Sequence, residues 1–243
     1  MIQKIKAKAI EHLRRQLGFP IPSLALERLK KAGFSPKLLF DVGASHGIFV
    51  EEAWKEWPRL ETYAFEPEPE FVAVLREKEK RFPSLHVCSS LVGATSKTEQ
   101  PYYHYLGAST VLMENVDRPD QKTIAGGPVR SSRMIRLDQF CEEQKCIPDF
   151  LKIDVQGYEL EVLKGAEGIL SSVEVVYTEV NHLEIYAGVP LASELIGWLA
   201  QRGFALHDIC EFYRRPLDQA LWQSDMIFVQ HRSPLRQFKR YAR

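Results

Sequence analysis

The stretch Lys37–Gly47, KLLFDVGASHG, constrains the fold more than any other part of the chain. Leu38, Leu39, Phe40 and Val42 form a short apolar run with strand propensity, and Gly43-Ala44-Ser45-His46-Gly47 ends it just before an amphipathic helix. Glycine lets the backbone approach a ligand closely, and the first N–H groups of a helix have no partners within it, so such a turn suits a polar ligand. The same turn also serves where a helix merely packs on a sheet. The glycines alone leave both uses open.

A dinucleotide pyrophosphate asks for Gly-x-Gly-x-x-Gly, but counting from Gly43 the second glycine position holds Ser45. Counting from Asp41 gives Asp-Val-Gly-Ala-Ser-His-Gly. That order resembles motif I of S-adenosylmethionine-dependent methyltransferases, whose ligand presents a carboxylate, an ammonium and a ribose without phosphate. The motif implies cofactor contacts at Asp41, Gly43, Ala44, Ser45 and Gly47, and an acid at Asp41 suits a cationic ligand. Glu66 lies 19 residues beyond Gly47, after the strand-like run Leu60–Phe65. At that distance a βαβ unit delivers an acid to ribose hydroxyls. An ordinary acid in a Pro-rich loop is the alternative.

With 243 residues the chain has room for one large α/β domain and small appendages. Lysine and arginine number 32, as do aspartate and glutamate, so no net field gathers nucleic-acid phosphates. Cys88, Cys141, Cys146 and Cys210 show no Cys-x-x-Cys spacing and read as thiols in a reducing compartment. No apolar run approaches the roughly 18 residues of a spanning helix, and no signal core opens the sequence. A cytoplasmic protein is expected.

Three regions follow. Residues 1–34 are expected to form a helical extension, in which Ile2, Ile5, Ala9, Leu13 and Leu17 recur at helical spacing among lysines and arginines. That stripe suits packing on the domain or on a second copy, as in a homodimer, better than a membrane surface. Residues 35–232 hold the alternating strands and helices of a mostly parallel sheet covered on both faces. The final two strands have no clear helix between them, which predicts an antiparallel last strand. Within this domain, 107–132 reads as an irregular, Gly- and Pro-rich lid over an acceptor, with Gly126-Gly127-Pro128 giving it freedom to move. Residues 233–243 read as a solvated basic tail. Ser89 and Ser90, at the end of the strand Leu85–Cys88, either border an adenine edge, with Ser89 placed in the site, or are plain loop serines.

The second informative stretch runs from Lys152-Ile153-Asp154-Val155-Gln156-Gly157-Tyr158-Glu159 to Val162-Leu163-Lys164-Gly165-Ala166. Together with the Asp41–Gly47 motif, Glu66-Pro67 and Arg136-Leu137-Asp138-Gln139-Phe140, it resembles the FkbM family of S-adenosylmethionine-dependent O-methyltransferases. The resemblance covers residues 38–182. It implies a Rossmann-like class I methyltransferase fold: a mostly parallel seven-stranded sheet, helices on both faces, and a final antiparallel strand. Gln156 departs from the family pattern, which most often carries Glu there. Lys152, within an apolar strand, needs a counter-charge from Asp154, Asp41 or Glu179.

Methyl transfer to a hydroxyl benefits from a base near the acceptor oxygen. Asp154, Glu179 and His182, at or just beyond strand ends, are the catalytic candidates, with Asp154 also placed beside the cofactor. His182 is equally compatible with a loop position in solvent. Nothing in the spacing of Asp154, Glu179 and Asn181 demands a metal, and none is expected. The resulting expectation is an enzyme that methylates a hydroxyl of a sugar or small natural-product acceptor. A nicotinamide-linked oxidoreductase on a similar sheet and a non-catalytic interaction protein are the alternatives.

Overall fold

The computed structural model describes residues 22–104, 109–113 and 129–237. The chain begins with helix α1 (Pro22–Lys31), then β1 (Leu38–Val42), α2 (Ile48–Glu56), β2 (Glu61–Phe65), α3 (Pro69–Glu79) and β3 (Leu85–Cys88). A short β4 (Leu91–Val92) leads to β5 (Lys97–Tyr103), β6 (Val129–Ile135) and α4 (Leu137–Gln144). There follow β7 (Phe150–Ile153), α5 (Glu159–Gly165), β8 (Val175–Asn181), α6 (Ala192–Gln201), β9 (Phe204–Arg214) and β10 (Leu221–Gln230).

Seven strands form the main sheet in the order β3-β2-β1-β7-β8-β10-β9. All run parallel except β10, which lies antiparallel between β8 and β9. The expected seven-stranded sheet with a final antiparallel strand is therefore present. Chain order reverses between β1 and β7, and in such sheets the ligand crevice opens beyond the carboxyl ends of the strands at that point.

Every residue of β7 and β8 is buried, as strands covered on both faces require. Alternation divides β1 between two cores. Phe40 and Val42 join Leu151, Ile153, Val162, Leu163, Leu195 and Leu199 on the α5 and α6 side. Leu39 joins Leu26, Leu29, Ala53, Trp57 and Phe150 on the α1 and α2 side. Phe150 lies 5.4 Å from Phe34 and 6.1 Å from Trp57 between ring centroids, both edge to face. Truncating a buried aromatic side chain of this kind costs about 3–5 kcal/mol.

The segment expected to be an irregular lid is partly strand. Residues 129–135 form β6, which pairs antiparallel with β5 and parallel with β4 in a separate three-stranded sheet. The polar sequence VRSSRMI hides this because only Met134 and Ile135 are buried there. Its antiparallel partner β5 runs from Lys97 to Tyr103. Gly126-Gly127-Pro128 and the helix expected over 2–17 fall outside the described residues. The start of the expected tail is packed: Pro234–Arg236 form a turn of 3-10 helix capped by the Ser233 hydroxyl, and Leu235 is buried against the α1 and α2 core. All four cysteines are free, Cys141 and Cys210 buried and the others half-buried. Among the described residues no helix is long and apolar enough to cross a membrane.

Candidate functional site

The turn after β1 is built by backbone conformation. Gly43 has φ 78°, and a Cβ there would stand 1.8 Å from the carbonyl oxygen of Asp154, so no larger residue fits where the ends of β1 and β7 meet. The N–H groups of Gly43 and Ala44 both donate to the Phe65 carbonyl, at 2.9 and 3.1 Å. Ser45 is left-handed at φ 47° and turns its own N–H toward the end of β2. Gly47, at φ 77°, opens α2, and a Cβ there would press on Leu75 Cδ2 at 2.9 Å. Its role is to seat α2 against α3.

Beneath the turn lies a buried ion pair. Asp41 and Lys152 are register neighbours on β1 and β7 and both face the α1 and α2 side. Lys152 Nζ stands 2.9 Å from Asp41 Oδ1, donates to the Gly43 carbonyl at 2.9 Å, and lies 3.8 Å from Asp154 Oδ2. Burial alone would depress the ammonium pKa, but the carboxylates of Asp41 and Asp154 hold it above the ordinary lysine range. Asp41, fully buried, braces the turn through Lys152.

At the end of β2, Glu66 Oε2 accepts the Ser45 N–H at 2.8 Å and Oε1 accepts the Glu68 N–H at 2.9 Å. Each oxygen keeps a further lone pair. Burial pushes the Glu66 pKa up to about 7, against the pull of those two backbone bonds. Two residues on, buried Glu68 collects His104 Nδ1 at 2.8 Å, the Ser109 hydroxyl and the Arg130 guanidinium. Arg130 also forks onto Glu70 at 2.7 and 2.9 Å. Glu68 thereby ties the small sheet and residues 104 and 109 to the loop that carries Glu66.

At the end of β7, the Asp154 side chain is 44% exposed. Its Oδ1 accepts from Gln156 Nε2 at 2.9 Å, and Gln156 Oε1 accepts the Tyr186 hydroxyl at 3.0 Å. Buried Glu159 takes the N–H groups of Val155 and Gly157 at 3.1 and 3.0 Å, which fixes the loop between them.

These pieces enclose one crevice of about 680 Å³ of empty space, open to solvent. Its floor is Gly43, Ser45, Glu66, Asp154 and Gln156, and Ser109, Thr110 and Val111 roof it. Ser90 lines its far end, and the buried Ser90 hydroxyl has no hydrogen-bond partner among the described residues.

A family model described as the methyltransferase FkbM domain matches residues 41–206, from Asp41 to the start of β9. The chain belongs to the FkbM methyltransferase family. The 2-O-methyltransferase NoeI of Sinorhizobium fredii is 25% identical over 171 residues, which is 65% of this chain and 69% of its own. The hexuronic acid methyltransferase AglP of Haloferax volcanii is 30% identical over 157 residues, 63% of this chain and 57% of its own. The crystal structure of methyltransferase FkbM from Methylobacillus flagellatus KT shares the fold with TM-score 0.51 at 16% identity, covering 80% of this chain and 43% of that one. This chain thus spans less than two thirds of the length of the latter two.

Within this FkbM domain the expected site residues divide. Gly43, Ser45, Glu66 and Asp154 meet at the crevice. Asp41, Ala44 and Gly47 lie behind it as supports, and Ala44 packs with Val50 and Leu75 in the α2 and α3 core. Ser89 is displaced from its expected place: it borders a neighbouring groove beside Arg76 and Arg136, and Ser90 takes the crevice position. A one-residue offset in the β3 turn exchanges the two.

Glu179 and His182 are also off the crevice wall. Glu179 is buried behind it, with Oε1 accepting from Gln223 Nε2 at 2.8 Å, and the same amide donates to Asn181 Oδ1 at 3.1 Å. Burial first, and then the Asp154 charge, push the Glu179 pKa well above the usual carboxyl range. His182 Nε2 meets the Ser224 hydroxyl at 2.7 Å, the His182 backbone N–H donates to the Trp222 carbonyl, and burial lowers the ring pKa. Among the described residues no three His, Cys, Asp or Glu side chains converge as a metal site. Sequence reasoning missed Glu68 and the role of Tyr186. The Glu66-Pro67-Glu68-Pro69 repeat of acids was a visible signal for the first, whereas nothing local to Tyr186 announced the second.

Proposed function

We propose that this FkbM domain binds S-adenosylmethionine and passes its methyl group to a hydroxyl of a sugar or other small-molecule acceptor. The observation that carries this reading is the Glu66 carboxylate, held in the crevice by two backbone N–H groups beside Gly43 with lone pairs to spare for ribose hydroxyls. The wall fits a nucleoside in two further respects. The glycine turn brings backbone to the crevice surface, and the unpartnered Ser90 hydroxyl supplies a polar contact for a base edge at the opposite end.

When bound, the cofactor supplies a methyl group on a positively charged sulfur. Gly43, Ser45, Glu66 and Ser90 would hold it. The carboxylate of Asp154 offsets positive charge on the same wall and, half exposed, is the group there placed to take the acceptor's hydroxyl proton. The roof at Ser109–Val111 narrows access for water and fixes the acceptor's approach, and such positioning supplies roughly 7–11 kcal/mol in well-oriented cases. Glu179 and His182 act through the stability of the β8 and β10 ends in this scheme.

The relatives named as a 2-O-methyltransferase and a hexuronic acid methyltransferase support a sugar-like acceptor. The balanced charge supports a small molecule over a nucleic acid, and four free thiols support a cytoplasmic setting. Incubating the full chain with methyl-labelled cofactor and a panel of hydroxylated sugars, hexuronic acids included, tests the reading by mass spectrometry. The expected result is label on a sugar oxygen. Label appearing only on nitrogen acceptors contradicts it.

A further inference from the structure

We infer that Gln156 is a positioning residue, whose amide fixes the carboxylate of Asp154 on the crevice wall through a chain that runs from Tyr186 to Gln156 to Asp154. The inference rests on the cofactor reading above and adds to it the group that aims its carboxylate.

The polarity of the chain is determined by chemistry. The Asp154 carboxylate can only accept, so Gln156 Nε2 donates to its Oδ1 at 2.9 Å, which leaves Gln156 Oε1 to accept the Tyr186 hydroxyl 3.0 Å away. A glutamate in place of Gln156 has no N–H to give. It would set a second carboxyl group against Asp154 at the same separation, and two carboxyl groups that close share a proton. The amide is also held firmly at its own backbone. Gln156 is left-handed at φ 55°, a conformation a non-glycine residue rarely adopts, and its carbonyl accepts the Thr110 hydroxyl at 2.7 Å. The next residue, Gly157, has φ 97° and packs so closely on Tyr186 that a Cβ would lie 2.7 Å from its ring. The loop that strains Gln156 thus also seats the tyrosine that orients it. Tyr186 is buried with Ile185 and Val189, against Leu112 and Trp222.

The charged groups facing Asp154 make its aim consequential. Lys152 lies 3.8 Å away on its own strand. Asp41 of β1, Glu159 of α5, Glu179 of β8 and Asp225 of β10 all feel its charge. A carboxylate among so many acids is repelled from the interior, and the Gln156 amide is the donor that holds one of its oxygens in place at the crevice.

The test is the dissociation constant of S-adenosylmethionine for the full chain, measured by calorimetry from pH 6 to pH 9 for wild type, Gln156→Glu, Gln156→Ala and Tyr186→Phe. The expected result for Gln156→Glu is a ratio to wild type near one at pH 6, where a shared proton restores the bond, rising by on the order of tenfold by pH 9, where two carboxylates repel. Gln156→Ala is expected to weaken binding several-fold by the same ratio at every pH. Tyr186→Phe, which keeps the ring and its packing, is expected to weaken binding about two- to fivefold without a pH trend. A ratio for Gln156→Glu that stays constant with pH, or Tyr186→Phe binding as wild type does, overturns the positioning role. Wild type failing to bind S-adenosylmethionine at any pH instead overturns the cofactor reading, and this inference with it.

Discussion

On the β1 and β2 side of the switch point the backbone itself makes the crevice. Gly43 touches the Asp154 carbonyl, Ser45 hands its N–H to Glu66, and Glu68 pins the roof beside it. On the β8 and β10 side the strand ends carry equally suggestive groups, Glu179, Asn181 and His182, yet these turn to one another's neighbours through Gln223 and Ser224 and stay off the wall. A polar residue at the carboxyl end of a parallel strand is therefore poor evidence for a site by itself. A turn whose conformation only glycine tolerates, followed at βαβ distance by an acid, is much better evidence, because the chain geometry leaves its side chains few other places to go.

The sharpest way to break this contrast is Gly43→Ala. A methyl 1.8 Å from a backbone oxygen, at φ 78°, has no room to relax, so a loss of roughly 4 kcal/mol or more is expected in urea unfolding. Gly47→Ala meets the movable tip of Leu75 instead and is expected to cost about 1–3 kcal/mol. Comparable costs would show that the two glycines do the same job.

Glu66→Ala is expected to weaken S-adenosylhomocysteine binding by roughly 1.5–3 kcal/mol, read by calorimetry, as for other lost hydrogen bonds to a charged group. Since burial lifts Glu66 from 4.5 to about 7, its protonation below that pH removes acceptor capacity. Affinity should fall by at most about tenfold per pH unit below 7 and should become flat in Glu66→Gln. The sign for stability is opposite. A raised carboxyl pKa contributes stability that is fully present below pH 4.5 and lost as pH rises through about 7, so the ligand-free protein should gain urea resistance on acidification over that window relative to Glu66→Gln. The smallest effect is expected on the other side of the sheet, where His182→Asn should change cofactor affinity by no more than about twofold. A tenfold loss there would bring the β8 end into the crevice.

The mostly parallel sheet was legible because continuous apolar runs such as those of β7 and β8 have few ways to be buried, and the antiparallel last strand because no helical stretch separates β9 from β10. Gly43 and Glu66 were legible from spacing. Ser90 was not separable from Ser89, because a one-residue offset in a turn exchanges which side chain faces inward. Asp41 and Gly47 sit within the motif yet act from behind the wall, since a motif fixes position along the chain and leaves open which way each side chain points. Glu68 and Gln156 were the least legible. Their roles depend on His104, Ser109, Arg130 and Tyr186, partners 30 to 62 residues away that only the fold brings near.

The most direct measurement is a calorimetric titration of the full chain with S-adenosylhomocysteine and, separately, with NAD. One-to-one binding of S-adenosylhomocysteine that is weakened in Glu66→Ala, with no heat from NAD, is the expected result. NAD binding to the wild type while S-adenosylhomocysteine gives no heat would contradict the account.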